Sequence, residues 1–207
     1  MMPMRAVNTA AEQDARYQMN SPLLFGALQA LSPDSSIGLL DLAPANASLL
    51  DYFAEYYCKL YLPGCRDELL SLDTGIDSGQ PPLAVTMASL LPLRQAQGRP
   101  LDLVLLWDLP NYLDQSVLSA LISYLATHSS RDTVLHTYVH TRQTMPDAPG
   151  DYRLTVEQKV KVEISTAWNT GSPGFYLELI NKVFTPFRVD RGMLLANGLQ
   201  EYILRRA

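Results

Sequence analysis

The sequence has few cysteines, few basic residues and no long apolar run. Cys58 and Cys65 are the only cysteines, which argues against a disulfide framework and favours free thiols in a reducing compartment. Lys and Arg (16) are outnumbered by Asp and Glu (21), and the net charge of −5 argues against a general nucleic-acid or membrane-surface binder. No stretch approaches the roughly 18 apolar residues of a membrane-spanning helix. Residues 1–20 lack the apolar core of a secretory signal, so a cytoplasmic protein is expected.

The rest of the composition is typical of one α/β domain. Hydrophobic residues make up 47% and charged residues 18% of the 207 residues, which suffices for one domain with a substantial core. No internal repeat or long linker divides the chain. Residues 1–20 are expected to form an N-terminal arm or a peripheral helix, and residues 21–207 a single domain.

Short apolar runs alternate with stretches in which apolar residues recur at helical spacing. Strands are expected at 37–44, 58–64, 101–108 and 132–141, with helices at 21–31, 46–57 and 114–127. This alternation predicts a mainly parallel sheet covered on both faces. Two strand-like runs within 187–206 are joined by Asn197-Gly198, which strongly indicates a hairpin turn. The hairpin is expected to add an antiparallel strand at the far edge of the sheet.

Residues 155–165 alternate between apolar and charged side chains. Val156 and Val160 share one face, and Lys159 and Lys161 lie on the other, which predicts a strand with one solvated face. One interpretation of the charged face is plain solvated surface. In the other interpretation this strand is a pairing edge for a protein partner.

The sequence contains no nucleophile motif, phosphate-binding loop or set of metal ligands at a known spacing. His136 and His140 lie four residues apart in an expected strand and could point to one face. No third ligand lies near them, so no metal site is expected.

Three stretches, in this order, resemble class I S-adenosylmethionine-dependent methyltransferases. "GLLDLAPANASLLDYF" (38–53) resembles the family's first motif, a strand ending in an acid followed by a tight turn into a helix. "LDLVLLWDLPNYLD" (101–114) resembles the fourth motif, and "FRVDRGMLLANGLQEYILRR" (187–206) the closing hairpin. The resemblance spans residues 21 to 206. It implies a Rossmann-like methyltransferase fold with a mainly parallel central sheet, and S-adenosylmethionine as the cofactor.

The resemblance also assigns site residues. It places in the cofactor pocket Asp41, Ala43, Asn46 and Asp108, and in a substrate or partner pocket Asn111 and Tyr112. The alternative for Asp41 and Asp108 is that they cap turns, with Tyr112 packed in the core. No catalytic residue is identified, because methyl transfer depends mainly on alignment of the acceptor with the methyl group.

Two departures from the family pattern bear on cofactor binding. The turn that is glycine-rich in the family reads Ala43-Pro44-Ala45, and alanine tolerates positive φ poorly while proline fixes φ. The second strand ends in Leu62-Pro63-Gly64, where the family has an acid that binds the ribose hydroxyls. Loss of that acceptor costs about 2–3 kcal/mol, roughly 30- to 150-fold in affinity. Both changes indicate a weakened or abandoned cofactor site.

The sequence therefore favours a methyltransferase-like protein with a degenerate cofactor site that serves as a binding or scaffold module for a protein partner. The partner would bind at the late strand or the strand-end crevice. The alternative is an active, divergent S-adenosylmethionine-dependent methyltransferase whose acceptor the sequence does not identify. A third interpretation, dinucleotide binding, needs the same missing glycines. Fold alone cannot choose among them, because function belongs to the site.

Overall fold

A computed structural model describes residues 16–72, 81–93, 99–170 and 177–207 of the chain. The strands are β1 (Arg16–Met19), β2 (Ile37–Asp41), β3 (Cys58–Tyr61), β4 (Leu101–Trp107), β5 (Ser129–His140), β6 (Met145–Pro146), β7 (Asp151–Leu154), β8 (Val160–Glu163), β9 (Trp168–Asn169), β10 (Phe187–Leu194) and β11 (Leu199–Arg206). The helices are α1 (Pro22–Gln29), α2 (Ala47–Tyr52), α3 (Arg66–Leu70), α4 (Leu83–Leu90), α5 (Gln115–Thr127) and α6 (Leu177–Val183). Among these described residues, no helix is long and apolar enough to cross a membrane.

Six strands form the central sheet in the order β10-β11-β5-β4-β2-β3. Strands β2, β3, β4 and β5 run parallel, and β11 is antiparallel to both of its neighbours. The predicted Rossmann-like fold with a mainly parallel sheet and a C-terminal antiparallel hairpin is therefore confirmed.

The hairpin lies at the far edge of the sheet, as predicted, and contributes two strands to it. Its last strand, β11, lies inside the sheet between β5 and β10, and β10 forms the edge. The reason is apolar content: five of the eight β11 residues are buried, whereas most β10 residues are exposed. The asparagine–glycine turn indicates a hairpin, but it does not indicate which of its two strands pairs with β5.

The sheet separates two cores. Strand β4 is buried on both faces, with Leu103 and Leu105 in one core and Val104 and Leu106 in the other. Helices α3 to α6 cover the core of Val104. Helices α1 and α2 cover the opposite core together with a second, three-stranded sheet of order β1-β8-β7. This small sheet brings a further part of the chain to the carboxyl end of the parallel strands.

The small sheet corrects two sequence-based expectations. Residues 16–19, expected in an arm or peripheral helix, form strand β1, because Met19 packs into the core and β1 pairs with β8. The expectation for residues 1–15 lies outside the described residues. The late strand is shorter than expected, with residues 155–159 forming a turn closed by a hydrogen bond from Thr155 N to Lys159 O (2.9 Å). Val156 is consequently 84% exposed.

Strand β8 lies between β1 and β7, which pair with both of its edges. The interpretation of residues 155–165 as an open pairing edge is therefore wrong. The alternation of Val160 and Val162 reflects one buried face of a central strand.

Candidate functional site

The strand order of the main sheet reverses between β2 and β4, because β3 lies on one side of β2 while β4 and β5 lie on the other. In open α/β sheets, ligands bind in the crevice outside the carboxyl ends of the strands at such a point. Asp41 is the last residue of β2, and Trp107 is the last residue of β4. These two side chains therefore determine what this crevice can hold.

Asp41 binds its own turn and the neighbouring indole. The indole nitrogen of Trp107 donates a hydrogen bond to Asp41 Oδ1 (2.6 Å), and the backbone N–H of Ala43 donates to the same oxygen (2.9 Å). Burial raises the pKa of Asp41 to about 6, although both hydrogen bonds act to lower it. The carboxylate thus links the ends of β2 and β4 across the crevice.

Trp107 adopts a conformation that is unusual for a bulky residue. Its φ of +52° lies in the left-handed region, which costs roughly 1–3 kcal/mol for a residue with a side chain of this size. The hydroxyl of Thr137 donates to its carbonyl oxygen (2.7 Å), and Asp41 holds its indole. Its ring stacks on Tyr152, with centroids 4.9 Å apart and planes 4° from parallel. Together these contacts hold the indole in place at the carboxyl end of β4.

Tyr152, in β7, lies over the turn that follows β2. The side-chain amide of Asn46 donates to the carbonyl oxygens of Pro44 (3.2 Å) and Tyr152 (3.4 Å). Asn46 also caps α2, because its Oδ1 accepts a hydrogen bond from Leu49 N (3.4 Å). Burial, reinforced by the charge of Asp108, holds the pKa of Tyr152 well above its ordinary value. The backbone of Tyr152 is therefore tied to the turn of residues 43–46, and its buried ring stays neutral.

The two residues before Tyr152 are also fastened to the strand ends. Asp108 Oδ2 accepts a hydrogen bond from the backbone N–H of Gly150 (3.1 Å). Arg66, at the start of α3, donates to the carboxylate of Asp151 (2.7 Å). Three consecutive residues of the β7 segment are thus held against the carboxyl edge of the sheet.

The structure places all six sequence-predicted site residues at this edge. Asp41, Ala43 and Asp108 are buried, and Asn46 is half-buried. Asn111 lies in a 3₁₀ turn, where its amide donates to the carbonyl oxygens of Asp108 (2.6 Å) and Tyr138 (2.9 Å).

Asn111 Oδ1 also accepts from the backbone N–H of His140 (3.0 Å), so this side chain anchors the end of β5. Tyr112 packs edge-to-face against His140, with ring centroids 6.3 Å apart.

Sequence reasoning missed the two rings that stack at the crevice. Trp107 directly precedes Asp108, on which the resemblance concentrated. Tyr152 lies between the expected strands at 132–141 and 155–165, where no strand was assigned from the sequence. The alternating Tyr152 and Leu154, followed by Val160 and Val162, is a signal for a hairpin that could have been found. Among the described residues, no group of three or more His, Cys, Asp and Glu is placed to hold a metal ion.

Comparison with known proteins shows similarity only to solved structures. No family model matches the sequence, and no curated protein matches it. The mitomycin 7-O-methyltransferase MmcR is 16% identical, with a TM-score of 0.43 over 88% of this chain and 52% of its own. A Burkholderia thailandensis 1,6-didemethyltoxoflavin-N1-methyltransferase, with bound 1,6-didemethyltoxoflavin and S-adenosylhomocysteine, is 15% identical, with a TM-score of 0.45 over 97% and 80% of the two chains.

The glycopeptide N-methyltransferase MtfA, complexed with S-adenosylmethionine, is 11% identical, with a TM-score of 0.44 over 89% and 92% of the two chains. This chain spans about half the length of MmcR and of the pyocyanin biosynthetic protein PhzM, covering 52% of each. The fold class rests on the strand order and strand directions of the chain itself.

Proposed function

We propose that this chain is a methyltransferase-fold protein that binds a partner and does not transfer methyl groups, because its own side chains close the cofactor crevice. The observation that carries the proposal is the stack of Trp107 on Tyr152, directly above Asp41. A cofactor at the carboxyl ends of β2 and β4 needs the volume that these two rings fill.

The energetic cost of admitting a cofactor supports the proposal. Removing a buried aromatic ring from a packed core costs about 3–5 kcal/mol. Displacing the β7 segment also breaks the hydrogen bonds of Gly150 with Asp108 and of Asp151 with Arg66. A penalty of about 4 kcal/mol weakens binding roughly a thousandfold, which turns a micromolar dissociation constant into a millimolar one.

The residues around the crevice also support the proposal that the cofactor does not bind. The N–H of Ala43 is engaged by Asp41, and the Ala43 side chain is buried. Strand β3 is followed by Leu62, Pro63 and Gly64, and the first acid beyond them, Asp67, is exposed in α3. Residues 62–64, where the family resemblance places a ribose acceptor, therefore supply no carboxylate.

The binding role includes a protein partner, and the outer edge of β10 is the surface that supports it. This edge strand has no pairing neighbour beyond it among the described residues, and Met193 (40%) and Leu194 (64%) are exposed. An exposed edge with apolar side chains is suited to receive a strand from another protein. Affinity capture should retain one partner with the wild type and lose it with Leu194→Asp. The control, Val156→Asp, changes an exposed apolar residue away from β10 and should leave capture unchanged. Equal capture by all three proteins would place the partner elsewhere.

The central test is calorimetric titration of S-adenosylmethionine and S-adenosylhomocysteine, up to millimolar ligand. We expect no binding in the micromolar range. Micromolar binding by the wild type would overturn the proposal and support the alternative, an active divergent methyltransferase.

A further inference from the structure

A cavity of about 290 Å³ lies beside the filled crevice, at the carboxyl end of β5. Its volume is near the lower end of the range for small-molecule sites, roughly 300–1,000 Å³. Strands of both sheets and two loops supply its walls, which include Tyr17, His140, Arg142, Tyr152, Trp168 and Asn197. None of the six site residues assigned from the sequence lines this cavity.

Three aromatic rings dominate the walls, and they come from three different strands. Tyr17 lies in β1, Tyr152 in β7 and Trp168 in β9. Strand β9 pairs with the two residues of β6, and this short pairing sets Trp168 opposite Pro146 on the cavity wall. Flat rings provide large contact area and favour stacking with a flat ligand.

A positively charged side chain, that of Arg142, also lines the cavity. Arg142 is exposed and forms no ion pair with any other described residue. Its guanidinium packs on the hairpin turn, where Gly198 has φ +88° and an added Cβ would lie 3.0 Å from Arg142 Nε. The planar fork of arginine donors matches a carboxylate in bidentate geometry.

His140 also lines the cavity, and its Nε2 has no hydrogen-bond partner among the described residues. Its Nε2 is buried, and the nearest carboxylate oxygen, Asp108 Oδ2, is 3.8 Å away, too far for a hydrogen bond. Behind it, the hydroxyl of Tyr112 and Asp108 Oδ1 are also buried without a partner among the described residues. Buried polar atoms are nearly always satisfied, and of these three residues only His140 lines the cavity, so its imidazole is the group there that a polar ligand could satisfy.

We propose that this cavity binds a small planar aromatic carboxylate. Its ring would lie between Trp168 and the tyrosines, and its carboxylate would reach Arg142 and His140. The ring of Tyr152 forms one wall of the cavity and stacks on Trp107, which lies at the crevice of Asp41. A molecule in the cavity is thereby separated from the crevice. The inference goes beyond the proposed function and does not depend on loss of the cofactor.

The test uses 2-naphthoate and its uncharged analogue naphthalene-2-carboxamide, titrated by calorimetry into the full chain. We expect naphthoate to bind at least about tenfold more tightly than the amide, because a charge-assisted hydrogen bond is worth roughly 10- to 100-fold in affinity. Arg142→Gln should abolish that preference. Arg131→Gln, at the other end of β5, is the matched control and should leave it unchanged. Trp168→Ala should weaken both ligands.

Three results would overturn the proposal: no naphthoate binding at millimolar concentration, equal binding of the amide, or naphthoate affinity unchanged by both Arg142→Gln and Trp168→Ala. The melting temperature of Arg142→Gln should equal that of the wild type, since this side chain is exposed. S-adenosylmethionine titration of the same samples tests the proposed function separately.

Discussion

The indole of Trp107 and the phenol ring of Tyr152 lie parallel, with centroids 4.9 Å apart, at the point where the strand order of the main sheet reverses. One ring belongs to the last residue of a central strand and the other to the second residue of a strand of the small sheet. Their stack joins the two sheets at the crevice in which such folds bind ligands. Under the proposed function, stability and ligand exclusion depend on the same contact.

Replacement of Tyr152 should separate the contribution of its ring from that of its hydroxyl. Tyr152→Ala removes a fully buried ring and should lower the free energy of unfolding by about 3–5 kcal/mol. Tyr152→Phe keeps the stack, and we expect a loss below about 1.5 kcal/mol. Urea denaturation measures both. Tyr56→Ala is the control, because its ring is half-buried and should cost less. Equal losses for the alanine and phenylalanine variants would show that the stack contributes little.

Restoring the family's cofactor residues should not by itself restore cofactor binding. We expect the double variant Ala43→Gly, Pro63→Asp to show no binding of S-adenosylmethionine in calorimetry, because Trp107 and Tyr152 still occupy the crevice. Adding Tyr152→Ala to this pair should bring binding into the measurable millimolar range. If the first two changes alone produce micromolar binding, the turn and not the ring is the obstacle.

Asp41 should make the stability of the protein depend on pH. Its pKa is about 6 in the folded state and 3.8 in the unfolded chain. Between these values the folded protein holds a proton that the unfolded chain has lost, so stability falls as the pH rises. The loss reaches about 3 kcal/mol above pH 7 and is absent in Asp41→Asn.

Urea denaturation of the wild type and Asp41→Asn between pH 4 and pH 7 measures this dependence. The difference in their free energies of unfolding should shift in favour of the variant as the pH rises. Asp51→Asn, at an exposed aspartate in α2, is the control and should follow the wild type. A difference between the wild type and Asp41→Asn that stays constant over this range would contradict the raised pKa.

Glu201 should contribute stability of the opposite pH dependence. This buried carboxylate of β11 accepts hydrogen bonds from the N–H of Leu24 (2.9 Å), at the start of α1, and from the hydroxyl of Ser21, and its Oε1 lies 3.0 Å from His136 Nε2. Burial acts to raise the pKa of Glu201, but the hydrogen bond and charge of His136, with the other donors, hold it below its ordinary value. The contribution of Glu201 to the stability of the protein is fully present above the ordinary pKa of the carboxyl group. It is lost as the pH falls through the lowered pKa of the folded state.

Glu201→Gln should destabilise the protein at pH 7 by about 2–4 kcal/mol, because the buried donors lose a charged acceptor. The variant should also lose less stability than the wild type on acidification below pH 4.5. Glu55→Gln, at an exposed position, should change the free energy of unfolding by less than about 0.5 kcal/mol. Urea denaturation across this range measures all three proteins, and a Glu201→Gln variant as stable as the wild type would show that the network is dispensable.

Much of the main sheet could be predicted because the signals are local. The run "LDLVLLW" is apolar on both faces and forms a central strand, and Asn46 and Asp114 cap the helices that follow them. Parallel strands bring their carboxyl ends to one edge, so the expected site residues meet there. The prediction of a strand over 155–165 was partly wrong, because Thr155 to Lys159 form a turn. Alternation of apolar and charged residues alone does not reveal such a turn.

The sequence by itself determined the order of the elements, the faces they bury and the edge at which Asp41 and Asp108 lie, since each depends on residues close together in the chain. Only the tertiary structure decided what fills that edge. The contact of Asn46 with Tyr152 joins residues 106 positions apart, and the pairing of β11 with β5 joins segments that are also far apart in the chain. Such contacts depend on which of several compatible apolar surfaces pack together, and periodicity specifies the surfaces without specifying their partners.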